Sequence, residues 1–171
     1  MNTTHFHLLL NHFPIVGTLV GSGLLLWGIL KNQDNIKAIS SFILVIMALI
    51  AIPVYLTGEP SEETVENLPG VAKSMIEMHE EAATIAIWLM GITALAAMIA
   101  LVFNYQKKQL SKAFFLTAFL LSALCFAAMA RTGYYGGQIR HSEIRSGAST
   151  DSQDGPDQKN SESDKDKSEE N

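Results

Sequence analysis

The sequence predicts an all-α fold: a four-transmembrane-helix bundle with a short helical loop on the extracytoplasmic side and a disordered C-terminal tail. Three observations predict the bundle. The 171-residue chain contains four long apolar runs, each near the length of about 20 residues at which a helix crosses the hydrocarbon of a bilayer. No Asp, Glu, Lys or Arg interrupts these runs. They are also apolar on every side, whereas the helices of a water-soluble bundle carry a polar stripe.

The four spans are expected at about residues 13–30, 38–57, 82–103 and 113–130. In the first span, Gly17 and Gly21 have the small-xxx-small spacing that lets membrane helices pack closely. Pro14 and Pro53 each remove a backbone donor near one end of the first two spans. The carbonyls freed one turn earlier suggest a polar recess at that end of the bundle.

The segments outside the spans divide the chain into a membrane domain, residues 1–145, and a tail, residues 146–171. A short amphipathic helix is expected in the loop after the second span, beginning near Pro60 and ended by Pro69 and Gly70. The tail has three Lys, eight acidic residues and no aromatic residue. It cannot bury enough apolar surface to offset its ordering entropy, so we expect it to be disordered.

The composition excludes two classes of protein. The membrane domain has nine Lys or Arg and nine Asp or Glu, so the whole net charge of −5 belongs to the tail. A neutral body has no cationic surface that could displace counterions from nucleic acid. The single cysteine, Cys125, lies in an apolar run and excludes a disulfide scaffold.

Lysine distribution predicts the orientation of the bundle. The short loops at 31–37 and 104–112 contain five Lys against one acidic residue, Asp34. The positive-inside rule therefore places these loops in the cytoplasm. Both termini and the loop at 58–81 then face outward from a bacterial inner membrane.

The histidines and glutamates gather on this outward side. His12 precedes the first span and His79 the third, so two helices bring imidazoles to one rim. His5 lies seven residues before His12 on the same helical face, so it cannot be the second ligand of one iron. No P-loop, zinc-protease or Ser-His-Asp pattern is present in the chain. An electron carrier or accessory subunit is therefore expected more than an enzyme.

Three hypotheses remain open for this rim. The first is electron transfer by one b-type haem held by His12 and His79, with Arg131 and Arg140 near its propionates and a periplasmic carrier or quinone as partner. The second is a Zn, Cu or Fe site, whose expected ligands are His12, His79, Glu63 and Glu80. The third is a non-catalytic accessory subunit that contacts other membrane subunits.

Four short motifs resemble a bacterial family of uncharacterised four-span membrane proteins. They are the segments Leu10-Asn11-His12-Phe13-Pro14, Thr57-Gly58-Glu59-Pro60, His79-Glu80-Glu81-Ala82 and Gly136-Gly137-Gln138-Ile139-Arg140-His141. The resemblance covers about residues 5–145 and implies a four-helix inner-membrane protein without an assigned activity. The chain is also similar, in four spans and rim histidines alone, to small b-type membrane cytochromes. The two-haem forms of those have histidine pairs at both sides, so at most one haem is implied here.

Overall fold

The computed structural model describes residues 3–66 and 71–140, apart from the side chains at 3, 63, 65 and 140. The described residues form six helices and no strand, which confirms the all-α prediction. In chain order these are α1 (Thr3–Leu10), α2 (His12–Leu30), α3 (Asp34–Leu56), α4 (Gly58–Val65), α5 (Lys73–Tyr105) and α6 (Ser111–Arg140). The predicted tail at 146–171 lies outside the described residues.

The four long helices form an antiparallel bundle in which each packs against two neighbours. Helix α2 packs against α3 and α6, and α5 packs against the same two helices. The end that carries the turns at 31–33 and 106–110 is here called the loop end. The opposite end carries α1, α4 and the first turns of α5, and is called the terminal end.

Both turns at the loop end reverse the chain through a left-handed residue. Asn32 has φ of 50° and Lys107 has φ of 53°. In the first turn, the N–H of Gln33 donates to the carbonyl of Gly28 at 2.9 Å, and the second turn repeats this pattern from Lys108. This is the Schellman arrangement, which satisfies the last carbonyls of a helix and allows an abrupt stop.

Helices α5 and α6 are longer than the apolar runs that predicted them. The third run was expected to begin at 82, but α5 begins at Lys73, and α6 continues past 130 to Arg140. An apolar run ends where charged residues begin, whereas a helix continues into water as long as its residues favour it. Both extensions lie at the terminal end and build the walls of the site described below.

Small residues let α2 approach α3 closely, as their spacing predicted. A Cβ at Gly21 would lie 3.0 Å from the side chain of Leu44, and one at Gly28 would lie 2.9 Å from the backbone nitrogen of Lys37. Leu25, Leu44 and Phe115 fill the centre of the bundle with no exposed surface. Only 28% to 39% of the apolar window of each long helix is buried, so the remaining apolar faces point outward.

Candidate functional site

A half-open cavity of about 470 Å³ lies at the terminal end of the bundle, lined by residues from all six helices. Its histidine and glutamate lining comprises His7, Glu59, Glu62, His79 and Glu80. Its floor is apolar and is formed by Ile15, Ala51, Ala86, Ile87 and Met129. The cavity also contacts Pro14, one of the two prolines whose positions suggested a polar recess at this end.

His79 is held in one orientation by α6. Its Nδ1 donates to the carbonyl of Thr132 at 2.9 Å, because a carbonyl can only accept. The ring lies against Gly136, where an added Cβ would stand 3.1 Å from both Cε1 and Nδ1. With the proton on Nδ1, neutral His79 presents the lone pair of Nε2. Such anchoring through the other nitrogen is the usual state of a metal-ligating histidine.

His7 is anchored in the same way by α3. Its Nδ1 donates to the carbonyl of Val54 at 3.0 Å and lies 3.3 Å from Oγ1 of Thr57. These acceptors occur where α3 ends, and the last carbonyls of a helix lack intrahelical donors. His7 therefore caps α3 and also keeps a lone pair on Nε2. Two imidazoles from different helices thus line one cavity in the same tautomer.

Glu62 faces His79 across the mouth of the cavity. Its Oε1 lies 4.0 Å from Nε2 of His79, and the two side chains are only 14% and 18% exposed. Its Oε2 is buried and has no donor among the described residues. Burial, then a hydrogen bond and charge repulsion from Glu80, and repulsion from Glu59, raise the pKa of Glu62 to about 8. Glu62 therefore keeps its proton to a higher pH than an ordinary glutamate does.

Replacing Glu62 by Gln is expected to remove a pH dependence from the stability of the metal-free protein. The folded pKa of Glu62 is above its ordinary value of 4.5. Its stabilising contribution is therefore complete below pH 4.5 and is lost as the pH rises through 8. Melting temperatures measured in EDTA should agree for the two proteins near pH 4.5, and the variant should melt higher at pH 9. The control is Glu81→Gln, because Glu81 is exposed and lies outside the cavity. If both variants lost the pH dependence of the melting temperature to the same extent, its assignment to Glu62 would be contradicted.

An acidic groove of about 270 Å³ adjoins the cavity and shares Glu59, Glu62 and Glu80 with it. Among the described residues that line this groove, Lys73 is the one cation, and its Nζ lies 2.6 Å from Oε1 of Glu66. A groove lined by one sign of charge concentrates ions of the opposite sign. The approach to the cavity through this groove therefore favours cations.

The structure brings together only part of the site that the sequence predicted. His79 and Glu80 line the cavity, whereas His12 is exposed and does not. Arg131 is exposed as well, and its Nε donates to Oη of Tyr135 at 3.3 Å. The side chains of Glu63 and Arg140 lie outside the described part of the structure.

His7 and Glu62 were missed from the sequence, although each had a detectable signal. Gly28 and Gly21 mark the face on which α2 packs, and Pro14 and His7 continue the same seven-residue spacing toward the N-terminus. Because seven residues make almost two helical turns, His7 is expected on that face. His12 lies off this series. In α4, Glu59, Glu62 and Glu66 share a face by their three- and four-residue spacing.

Within residues 3–66 and 71–140, no three His, Cys, Asp or Glu side chains stand as a ready-made metal site. Comparison with protein-family models, curated proteins and solved structures gives no match. The class of the protein therefore follows from its own architecture. Four helices are long and apolar enough to cross a membrane, so the chain has the architecture of a multi-pass membrane protein.

Proposed function

We propose that the protein binds one transition-metal ion at the terminal end of the bundle, on the outer face of a bacterial inner membrane. The observation that carries the proposal is the pair formed by Nε2 of His79 and Oε1 of Glu62, 4.0 Å apart. A Zn²⁺ ion bonds to imidazole nitrogen at about 2.0–2.1 Å and to carboxylate oxygen at about 2.0–2.2 Å. An ion between these atoms needs only a small rotation of Glu62 to reach a tetrahedral angle.

Neighbouring groups supply further ligands. The buried Oε2 of Glu62 has no donor among the described residues, so a cation would satisfy it when the carboxylate is ionised. Glu80 and His7 line the same cavity and are the nearest candidates for a third and fourth bond. These groups do not form a complete set of metal ligands in the structure, so a bound ion would keep open coordination positions. Such a site suits an ion that exchanges, as in sensing or delivery, better than one that holds a fold together.

The proposed orientation depends on the charges at the two ends. Lys31, Lys107 and Lys108 lie at the loop end, and the glutamates of the cavity and groove lie at the terminal end. Lysine-rich short loops remain in the cytoplasm. This orientation puts the cavity, and with it both termini, on the outer side, where the ion would be taken up.

A second candidate is a single b-type haem, and the size of the cavity favours it. A volume of about 470 Å³ with an apolar floor exceeds what one ion requires. His7 and His79 reach it from different helices with Nδ1 already anchored, so this pair would replace His12 and His79 as axial ligands. The haem would supply one-electron transfer. Three glutamates line the cavity where propionates would lie, which disfavours this candidate relative to a cation.

One preparation separates the two candidates. The protein would be purified in detergent without added metal, and its absorption compared in the oxidised and dithionite-reduced states. After EDTA treatment and buffer exchange, Zn²⁺ would be titrated by calorimetry, with Mg²⁺ as the control ion because it avoids nitrogen ligands. We expect no Soret band and one Zn²⁺ per chain. A Soret band would establish haem instead, and the absence of both signals would refute both candidates.

A further inference from the structure

The cavity straddles one boundary of the hydrocarbon layer. At the loop end, α3 starts at Asp34, α5 ends at Tyr105 and α6 starts at Ser111. Counted from these ends, Tyr55 on α3, Thr84 on α5 and Thr132 on α6 are equally far along their helices. At about 1.5 Å per residue the separation is roughly 30 Å, close to the ~30 Å thickness of the hydrocarbon. These three residues therefore lie at the same depth, one membrane thickness from the loop end.

This boundary divides the cavity into two parts of different chemistry. The apolar floor belongs to residues on the hydrocarbon side of the boundary, such as Ala51, Ile87 and Met129. His79, Glu62 and Glu80 lie on the aqueous side. An ion bound by the aqueous part leaves the floor without an occupant, so the proposed metal function does not account for it.

Between α3 and α5, a hydrogen bond joins two residues that line the cavity. Oη of Tyr55 lies 3.1 Å from Oγ1 of Thr84. Both residues are exposed, and both line the cavity. Their two side chains form the wall of the cavity at this point. A hydrogen bond between two exposed hydroxyls is readily exchanged for other partners, so it opens readily at the depth where lipid tails meet their headgroups.

Charge and size limit what can enter by this route. No Lys or Arg is among the described residues that line the cavity, and three glutamates are. A phosphate headgroup would therefore be repelled. The volume of about 470 Å³ is that of a small-molecule pocket and does not admit a lipid with two long acyl chains. Anchored imidazoles accept hydrogen bonds, and the hydroxyls of Tyr55 and Thr84 can donate them.

We propose that the floor of the cavity binds a neutral, single-tailed amphiphile with a hydrogen-bonding head, which enters from the bilayer between α3 and α5. A prenyl quinone or quinol and a monoacylglycerol both have this chemistry. The head lies at the Tyr55 and Thr84 hydroxyls, and the tail lies on the apolar floor or passes between the two helices into lipid. This inference is independent of the metal proposal, and its test is run in EDTA.

Tryptophan fluorescence provides a direct measurement, because the chain has two tryptophans at different places. Trp88 is exposed and lies one turn along α5 from Thr84, beside the proposed opening, whereas Trp27 is near the loop end. The Trp27→Phe variant would be placed in phosphatidylcholine nanodiscs and titrated with decylubiquinone, a quenching quinone with one short tail. We expect saturable quenching of Trp88. The Trp88→Phe variant, which retains Trp27, should show only the non-saturating quenching caused by quinone dissolved in lipid.

Variants that add bulk to the lining of the cavity test the location of the site. In the Trp27→Phe background, Ala83→Leu should weaken decylubiquinone binding at least tenfold. Ala51→Leu fills the opposite wall and provides a second test if the first variant folds poorly, as judged by circular dichroism and melting temperature. Gly23→Leu adds the same bulk where a Cβ meets no atom within 4 Å, and should leave binding unchanged.

Competition identifies the class of ligand. Monodecanoylglycerol should displace decylubiquinone if the shared chemistry of head and tail is sufficient, and a failure to do so would restrict the site to quinones. Decyl phosphate, with the same tail and a charged head, should not compete. The proposal is overturned by non-saturable quenching, by displacement with decyl phosphate, or by folded Ala83→Leu and Ala51→Leu variants that bind normally.

Discussion

Replacing His79 by alanine is expected to weaken Zn²⁺ binding by about 100-fold or more, whereas replacing His12 by alanine should change it less than twofold. His79 provides the anchored Nε2 that faces Glu62, and the loss even of a residue that merely orients a ligand costs roughly 10- to 100-fold in metal affinity. His12 is exposed and outside the cavity. Calorimetric titration of both variants with Zn²⁺ gives the comparison.

The same pair of variants decides between the sequence-based ligand set and the structural one. The sequence predicted that His12 and His79 act together, and the structure places His7 beside the cavity instead. Loss of binding in the His12 variant with normal folding would refute the cavity as the site. The Zn²⁺ affinity of a His7→Ala variant should lie between those of the His79→Ala and His12→Ala variants, because His7 is a candidate for an additional bond to the ion and also caps α3.

Replacing Gly28 by alanine is expected to lower the free energy of unfolding by about 1–3 kcal/mol, the usual cost of forcing extra volume into a packed interior. The new Cβ would lie 2.9 Å from both the backbone nitrogen and Cγ of Lys37, and backbone cannot rotate away. Lys37 is itself fixed, since it is 3% exposed, its Nζ lies 2.7 Å from Asp34, and it stands over the Phe115 ring. The helices α2 and α3 must therefore separate.

The matched control for this prediction is Gly23→Ala on the same helix. A Cβ at Gly23 meets no atom within 4 Å, and alanine is favoured over glycine in a helix by up to about 1 kcal/mol. In detergent, the melting temperature of Gly23→Ala should therefore equal or exceed that of the parent protein, and that of Gly28→Ala should be clearly lower. Equal melting temperatures for the two variants would show that α2 and α3 tolerate a wider spacing.

The four spans could be predicted from the sequence because crossing a membrane imposes a requirement on every residue of a segment. The absence of charge along a whole apolar run is a local property, and no knowledge of neighbouring helices is needed to detect it. The ends of α5 and α6 could not be predicted in this way. Their terminal turns contain polar residues such as Lys73 and Gln138, which are compatible with either a helix or a loop.

The site was predicted only in outline because its geometry depends on helical rotation. The concentration of His and Glu at one rim is visible in the chain, and the cavity forms there. Which histidine faces inward depends on the direction of each side chain around α1 and α2. A helix that is apolar on all sides gives no polarity signal for that direction, and the choice of His12 rested on its nearness to the span. Only the glycine series of α2 marked the inward face.

The bare backbone at Gly136 couples the site to the geometry of the whole sixth helix. In a helix the carbonyl of Thr132 also receives the N–H of Gly136, so His79 shares an acceptor that belongs to the ladder of α6. The imidazole can reach that carbonyl because no side chain stands at 136. A shift or tilt of α6 relative to α5 therefore moves His79 with respect to Glu62. Since α6 is a continuous helix from Ser111 to Arg140, such a shift would also displace the turn at its loop end.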